Sequence, residues 1–291
     1  MKFEKKKKNE IQNILAFEVQ VALHELLGHG SGKLFTIDAE GKTNFPQNLQ
    51  NPLNNTPIDS YYTPGKTYDG VFAEMGSAFE ECRAEAVGIY LCLSHEILSI
   101  FGHNTPEACE EIIYSNWLSM VRAGISALEF YTPESSHWRQ AHMHARHVIL
   151  RTLLEDAKGL VQISIINNND LQISLDKSKI NTLGKEAIGH LLKRMQVFKS
   201  TANYDAAKKM FNHYSHVEGE YLTWRKIVLE KKKPRPMYVQ PGTKIEQDGT
   251  VSYVKYDATN NGIIKSFVDR FSGTEKLILD FFEKDREMFD L

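Results

Sequence analysis

Three of the 291 residues are cysteine, Cys82, Cys92 and Cys109. They are too few and too irregularly spaced for a disulfide framework, so the chain reads as one suited to a reducing compartment, the cytoplasm. No uninterrupted apolar run is long enough to span a bilayer, which argues against a membrane partner. Basic excess is missing too: 35 Lys+Arg stand against 37 Asp+Glu, a formal net charge of −2. Nucleic acid, whose phosphates reward a basic surface, is therefore not an expected partner. The one basic run, Lys2 to Lys8, reads as a solvated, frayed terminus. The stretch after it is interrupted by Glu10, Gln12, Asn13, Glu18 and Gln20 and lacks the apolar core of a signal peptide. Internal repeats are absent. What remains, 42% hydrophobic and 25% charged, is a globular chain of one large or two ordinary domains.

Periodicity predicts a mainly α fold. Ile11, Ile14, Leu15, Val19, Ala22, Leu23, Leu26 and Leu27 recur at three and four, giving a helix from Glu10 to about Gly30 with one broad buried face. Residues 34–68, rich in Asn, Pro, Gly and Thr, form a long loop of the kind that lines sites. A second helix spans Val71 to Leu93. A third opens at Thr105-Pro106-Glu107 and ends near Tyr131. Thr132-Pro133-Glu134 repeats the start signal for a fourth, which stops at Gly159. Leu160–Ile165 and Leu171–Leu175 read as a β-hairpin, followed by helices over 184–199, 204–215 and 221–231. Composition shifts at Lys231–Pro236. Beyond it come short strands at 237–240, 244–246 and 251–256, with a turn at Asp248-Gly249, and two helices near 261–270 and 274–289. The expected domains are a mainly helical region, 1–232, and a small mixed α/β segment, 233–291.

The chemistry concentrates in His24-Glu25-Leu26-Leu27-Gly28-His29. It is close to H-E-x-x-H, in which two histidines one helical turn apart bind zinc and the glutamate acts as general base. Here the histidines are five apart. On a regular helix that leaves the rings about 140° apart, against about 40° for a spacing of four. Both rings face one metal only if the turn gains a residue, as in a π-bulge, and Gly28 stands where such local geometry needs a permissive residue. The alternative is a chance pair of helix-end histidines.

A catalytic zinc keeps three protein ligands and one open position. The second helix offers Glu80-Glu81-Cys82-Arg83-Ala84-Glu85, amid Phe79, Val87, Ile89, Leu91 and Leu93. Glu81 and Glu85 share a face. Carboxylates on a largely buried helix are costly unless a cation or hydrogen bonds compensate them, and a metal, Arg83 and the imidazoles together would do so. An ordinary solvated acidic face is the alternative.

His24–His29 continuing into Gly30-Ser31-Gly32-Lys33, with Glu80–Glu85 downstream, resembles the dipeptidyl peptidase III family of zinc exopeptidases, which pairs H-E-x-x-G-H with E-E-C-R-A-E. The resemblance extends through Asn116-Trp117, Val121–Gly124, Ala127–Pro133 and Trp138–Arg146, and more loosely beyond residue 160. It implies one zinc per chain held by His24, His29 and Glu81, with Glu25 as general base. Glu80 and Glu85 would hold the histidine rings by their other N–H groups, and Cys82 is a packing neighbour. It implies His142 as a donor to the tetrahedral intermediate, Arg146 beside it in the substrate cleft, and Asp69 near the amino-terminal side of the substrate. His144 and His147 are expected to serve the surface or packing. Lys231-Lys232 stands where the family often has Arg-Lys, which weakens a bidentate carboxylate clamp. The implied activity is release of N-terminal dipeptides from short peptides by zinc-activated water. Family members carry a long portion before the zinc helix, so the resemblance makes this chain a C-terminal catalytic part whose missing partner is the N-terminal lobe. The segment after about 232 would return to that lobe. Such a part is expected to bind zinc but turn over peptides poorly. A zinc aminopeptidase of different cleavage specificity and a non-catalytic interaction module are the rival readings.

Overall fold

Helix formation dominates wherever apolar residues recur at helical spacing, and the computed structural model describes residues 2–167, 169–232 and 237–289. In order these are α1 (Lys2–Leu23), a π-helical turn (His24–His29), α2 (Tyr68–Leu91), α3 (His95–Ile100), α4 (Pro106–Ser126), β1 (Tyr131–Thr132), β2 (His137–Trp138), α5 (Ala141–Asp156), β3 (Val161–Ile166), β4 (Asp170–Leu175), α6 (Lys185–Ser200), α7 (Tyr204–Ser215), α8 (Glu220–Lys231), β5 (Gly242–Ile245), β6 (Val251–Val254), α9 (Asn260–Phe271) and α10 (Glu275–Phe289). The fold is mainly α, with three two-stranded antiparallel pairs among the described residues.

The chain divides into two compact units at residues 232 and 233. In the larger, α2 is the central helix. Phe72, Phe79, Cys82, Ala86 and Ile89 on it are buried together with Trp117 and Val121 of α4, Ile149 and Leu153 of α5, Leu191 and Met195 of α6 and Phe211 of α7. Trp117 donates its indole N–H to the Ile89 carbonyl at 3.1 Å, which ties α4 to α2. Helix starts follow their caps: the Thr67, Thr105 and Asn203 side chains accept from Gly70, Ala108 and Ala206 amides. Loop 34–67 is anchored where Phe35 donates to the Ser200 carbonyl and Tyr62 donates its hydroxyl to the Lys199 carbonyl, each at 2.8 Å.

Several boundaries differ from the sequence expectation. Helix α1 begins at Lys2 rather than Glu10. Helix α4 ends at Ser126, a 3₁₀ turn over Ala127–Phe130 following it. Thr132-Pro133-Glu134 does not open a long helix. It forms a single 3₁₀ turn inside the β1–β2 hairpin, because Ser136 enters the left-handed region (φ 50°) and turns the chain back. Helix α5 starts at Ala141 instead, capped by the Gln140 side chain, which accepts from the Met143 amide at 2.6 Å. The β3–β4 hairpin pairs Val161 with Leu175 and Ile166 with Asp170.

In the smaller unit, β5 and β6 pair with each other, Gly242 opposite Val254 and Ile245 opposite Val251. The turn between them is closed by Asp248, which accepts from the Thr250 amide and hydroxyl, with Gly249 at φ +82°. Residues 237–240, expected as a strand, have no ladder partner and are irregular. The composition break at 233–236 lies outside the described residues. No helix among the described residues is long and apolar enough to cross a membrane.

Candidate metal centre

The five-residue spacing of the two histidines is resolved by the backbone: His24–His29 is a π-helical turn continuing α1. The extra residue swings His29 round to the side of His24, and the two rings meet edge to face with centroids 4.7 Å apart. Gly28 is required, but for packing rather than for a left-handed conformation. A Cβ there would stand 2.8 Å from both Cα and Cβ of Ala84, so only glycine lets the turn lie directly on α2.

Glu81 reaches the rings from α2. Its Oε2 lies 3.2 Å from His24 Nε2, 3.5 Å from His29 Nε2 and 3.1 Å from His142 Nδ1 on α5. The donor atoms of His24, Glu81 and His142 all fall within 4.8 Å of one another. Yet Glu81 Oε2 and His142 Nδ1 are buried atoms with no hydrogen-bond partner among the described residues. Donors on a four-coordinate zinc with bonds of about 2.0–2.1 Å stand about 3.3–3.4 Å apart; Glu81 Oε2 stands 3.1–3.5 Å from a nitrogen of each ring, while His29 falls outside the group whose donors all lie within 4.8 Å of one another. Nitrogen and carboxylate donors converging without hydrogen bonds between them fit a borderline-soft divalent cation.

A carboxylate stands behind each of the His24 and His29 rings. Glu80 Oε1 lies 3.4 Å from His29 Nδ1. Glu80 in turn accepts from Arg83 Nε and Nη2 (3.0 and 2.6 Å) and from Lys199 Nζ (2.7 Å). Glu85 Oε2 lies 3.7 Å from His24 Nδ1. Glu85 accepts from Gln20 Nε2 at 2.9 Å and Arg146 Nε at 2.7 Å, while Asn116 donates to Gln20 Oε1 at 3.0 Å. Burial would raise all three carboxyl groups, but their partners prevail and lower them: Arg83 and Lys199 for Glu80, His24, His142 and His29 for Glu81, and His24, Arg146 and Gln20 for Glu85, which falls to about 2. Burial pushes the His24 imidazole down, and Glu81 and Glu85 outweigh it, raising it to about 9. Every carboxylate is therefore charged and compensated.

Arg83 carries a role that composition and spacing left general. Only 1% exposed, it donates to Gly28 O at 2.6 Å, Ser31 O at 3.1 Å, Ser31 Oγ at 3.1 Å and Gln196 Oε1 at 3.3 Å, besides Glu80. One guanidinium thus caps the carbonyl end of the π turn and neutralises the carboxylate behind His29.

The other expected residues distribute as follows. Glu25 is exposed beside His24, with no hydrogen-bond or ion-pair partner among the described residues. Arg146 lies one turn beyond His142 and spends its Nε on Glu85. Asp69 is exposed in the first turn of α2, and the structure does not bring it into the donor cluster. Cys82 is wholly buried, its thiol pushed well up by burial. His144 stacks on Trp138 at 5.0 Å, and its Nε2 meets Ser215 Oγ at 2.6 Å; His147 is fully buried against the same indole. Both serve packing. Lys231 and Lys232 pair with Asp170 and Glu129. Sequence reasoning missed Gln20, Asn116, Gln196 and Lys199. Gln20 had a signal: it sits four residues before His24, on the face shared with Ala16 and Val19, where a polar side chain needs a buried partner.

Comparison with known proteins adds a family. The sequence model of Peptidase family M49 matches residues 2–271. The chain is 50% identical to dipeptidyl peptidase 3 of Nematostella vectensis over 275 residues, covering 93% of this chain and 37% of that one. It is 48% identical to dipeptidyl peptidase 3 of Homo sapiens over 265 residues, covering 88% and 36%. Among solved structures, it is similar to DPP III from Caldithrix abyssi with a TM-score of 0.46 at 21% identity, over 74% of this chain and 32% of that one. The chain spans about a third of the length of the curated relatives it matches.

Proposed function

The chain belongs to Peptidase family M49, and from that membership we propose that it is the metal-holding part of a zinc exopeptidase that releases N-terminal dipeptides from short peptides. The observation that carries the reading is the convergence of three imidazole nitrogens on Glu81 Oε2, with Glu81 Oε2 and His142 Nδ1 buried and unbonded. His24, His29 and Glu81 would hold one zinc, and Glu80 and Glu85 would orient the two rings. Bound zinc supplies a polarised water with a pKa of about 7 and a Lewis acid for the scissile carbonyl. Glu25, next to His24 and unpaired among the described residues, takes the proton of the attacking water and passes it to the leaving amine. His142 donates to the developing oxyanion, and Arg146 keeps its Nη groups for the peptide while Nε is fixed by Glu85. Asp69 is assigned to the amino-terminal side of the substrate.

Since the relatives are about two and a half times as long, peptide contacts from the remaining length are taken to be needed for full turnover, with residues 233–291 belonging to the lobe it builds. The chain alone binds zinc and hydrolyses peptides slowly. Three free, buried cysteines support a reducing compartment, the cytoplasm.

Elemental analysis of the purified chain and of Glu81→Ala, with the products of a short peptide read by mass spectrometry, tests this. About one zinc per wild-type chain, much less in the variant, and dipeptide as the product are expected. No zinc after reconstitution, or single amino acids released, would overturn it.

A further inference from the structure

Helix α2 changes direction within its first two turns. Ala73 stands at φ 46° and ψ −131°, a conformation that suits glycine in a type II′ turn and is foreign to a helix. It divides α2 into a short leading segment, Tyr68–Phe72, and the long segment that carries Glu80, Glu81 and Glu85. Asp69, assigned above to the amino-terminal side of the peptide, rides on the first; the proposed metal ligand Glu81 rides on the second. We infer that Tyr68 is a positioning residue that fixes the leading segment against the long one, and so sets where Asp69 stands relative to the centre. This rests on the reading of Asp69 given above and adds what holds that carboxylate in place.

The contacts of Tyr68 span the kink. Its hydroxyl donates to the Gly76 carbonyl at 2.8 Å, joining the two sides of the pivot. Its ring stacks on Phe72 at 4.6 Å, and Phe72 is wholly buried against Phe79 and Tyr204. On α6, Lys199 Nζ lies 5.2 Å from the centre of the Tyr68 ring, a cation–π contact, and the same ammonium donates to Glu80 at 2.7 Å. Stacking and burial hold the leading segment on the core but tolerate small rotations about it. The hydroxyl–carbonyl bond is directional, so it is the contact that sets the angle.

Elsewhere the segment is bare. Asp69, Gly70 and Ala73 are exposed, and the Thr67 cap closes onto Gly70 of the same turn without crossing the pivot. A strained residue such as Ala73 persists only where its surroundings over-determine it, and such residues gather where geometry serves function. A peptide gripped at its amine and at its scissile carbonyl needs those two grips at one separation. The pivot lies between the groups proposed to provide them.

The test is calorimetric binding of tetra-alanine and of N-acetyl-tetra-alanine to the zinc-loaded chain. Glu25→Gln serves as the background, so that the peptide survives, and Tyr68→Phe and Asp69→Asn are compared in it. Tyr68→Phe keeps the ring and removes only the hydroxyl. Affinity for the free-amine peptide should fall about 2–10-fold, the worth of one neutral hydrogen bond. Affinity for the acetylated peptide and zinc content should stay as they were. Ala73→Gly, which frees the pivot and leaves the hydroxyl, should shift the difference between the peptides in the same direction. It carries the test if Tyr68→Phe fails to fold by circular dichroism. Equal losses for both peptides, or none, would make Tyr68 merely structural and overturn the inference. A free-amine preference lost in Asp69→Asn but kept in Tyr68→Phe overturns the inference alone. A preference kept in Asp69→Asn overturns the assignment of Asp69, and this inference with it. An unsubstituted chain that binds neither peptide overturns the proposed function.

Discussion

A Cβ added to Gly28 would meet Cα and Cβ of Ala84 at 2.8 Å, closer than real side chains approach. The π turn that carries His29 thus rests on the helix that carries Glu81, with no room between them. Gly28→Ala must push the turn off α2. The expected result is a loss of about 1–3 kcal/mol in urea unfolding, the cost of overpacking, together with weaker zinc binding by chelator competition. Unchanged affinity would show that the contact does not set the ligand alignment.

Arg83 is the buried cation on which Glu80 and the carbonyl end of the π turn both depend. Arg83→Met removes it and leaves Glu80 with Lys199 and the His29 ring. Breaking a buried pair by deleting one partner costs about 3–5 kcal/mol. Arg83→Lys should fall between, since a single ammonium cannot span Glu80, Gly28 and Ser31 at once. Urea denaturation of the two variants orders them.

Glu25 is exposed and outside the donor cluster, so Glu25→Gln should leave zinc content and unfolding midpoint as in wild type. Peptide hydrolysis should fall by about 10²–10⁴-fold, the usual contribution of a general base. Equal loss of zinc and activity would instead make it a ligand or a structural residue.

His144 and His147 give stability a dependence on pH that is separate from the metal. Burial lowers both imidazoles to about 3, with Arg151 adding to it at His147. Below the ordinary histidine value of about 6.5 the unfolded chain binds protons that the folded chain refuses. Their contribution is therefore present above about 6.5 and is lost as pH falls toward 3, by up to about 1.4 kcal/mol per pH unit for each. His147→Phe fills the same buried space without a titrating group and should flatten the fall in unfolding midpoint between pH 7 and 5. A slope identical to wild type would mean that His147 is accessible to protons in the folded chain.

Much of this was legible before any coordinates. The helical periodicity of 11–27, the Thr105-Pro106 start of α4, the β3–β4 hairpin and the Asp248-Gly249 turn are local patterns, and each formed where the local pattern put it. The five-residue histidine spacing demanded an inserted residue, and the π turn contains it. Errors arose where two local signals compete. Thr132-Pro133-Glu134 has the residues of a helix start, but a start signal is satisfied by one turn, and the β1–β2 pairing claims the next residues. Strand-like 237–240 failed for want of a partner, which no single segment can supply.

The sequence by itself determined which residues can bind a cation and that one extra helical residue must separate the two histidines, because side-chain chemistry and helical pitch are properties of the chain alone. Tertiary structure decided what shares a point in space: His142 with Glu81, Gln20 and Arg146 with Glu85, Lys199 with Glu80, and Arg83 with the Gly28 carbonyl. These pairs are up to 119 positions apart. Only the packing of α1, α5 and α6 around α2 brings them within hydrogen-bonding reach, and no local pattern encodes a distance across that packing.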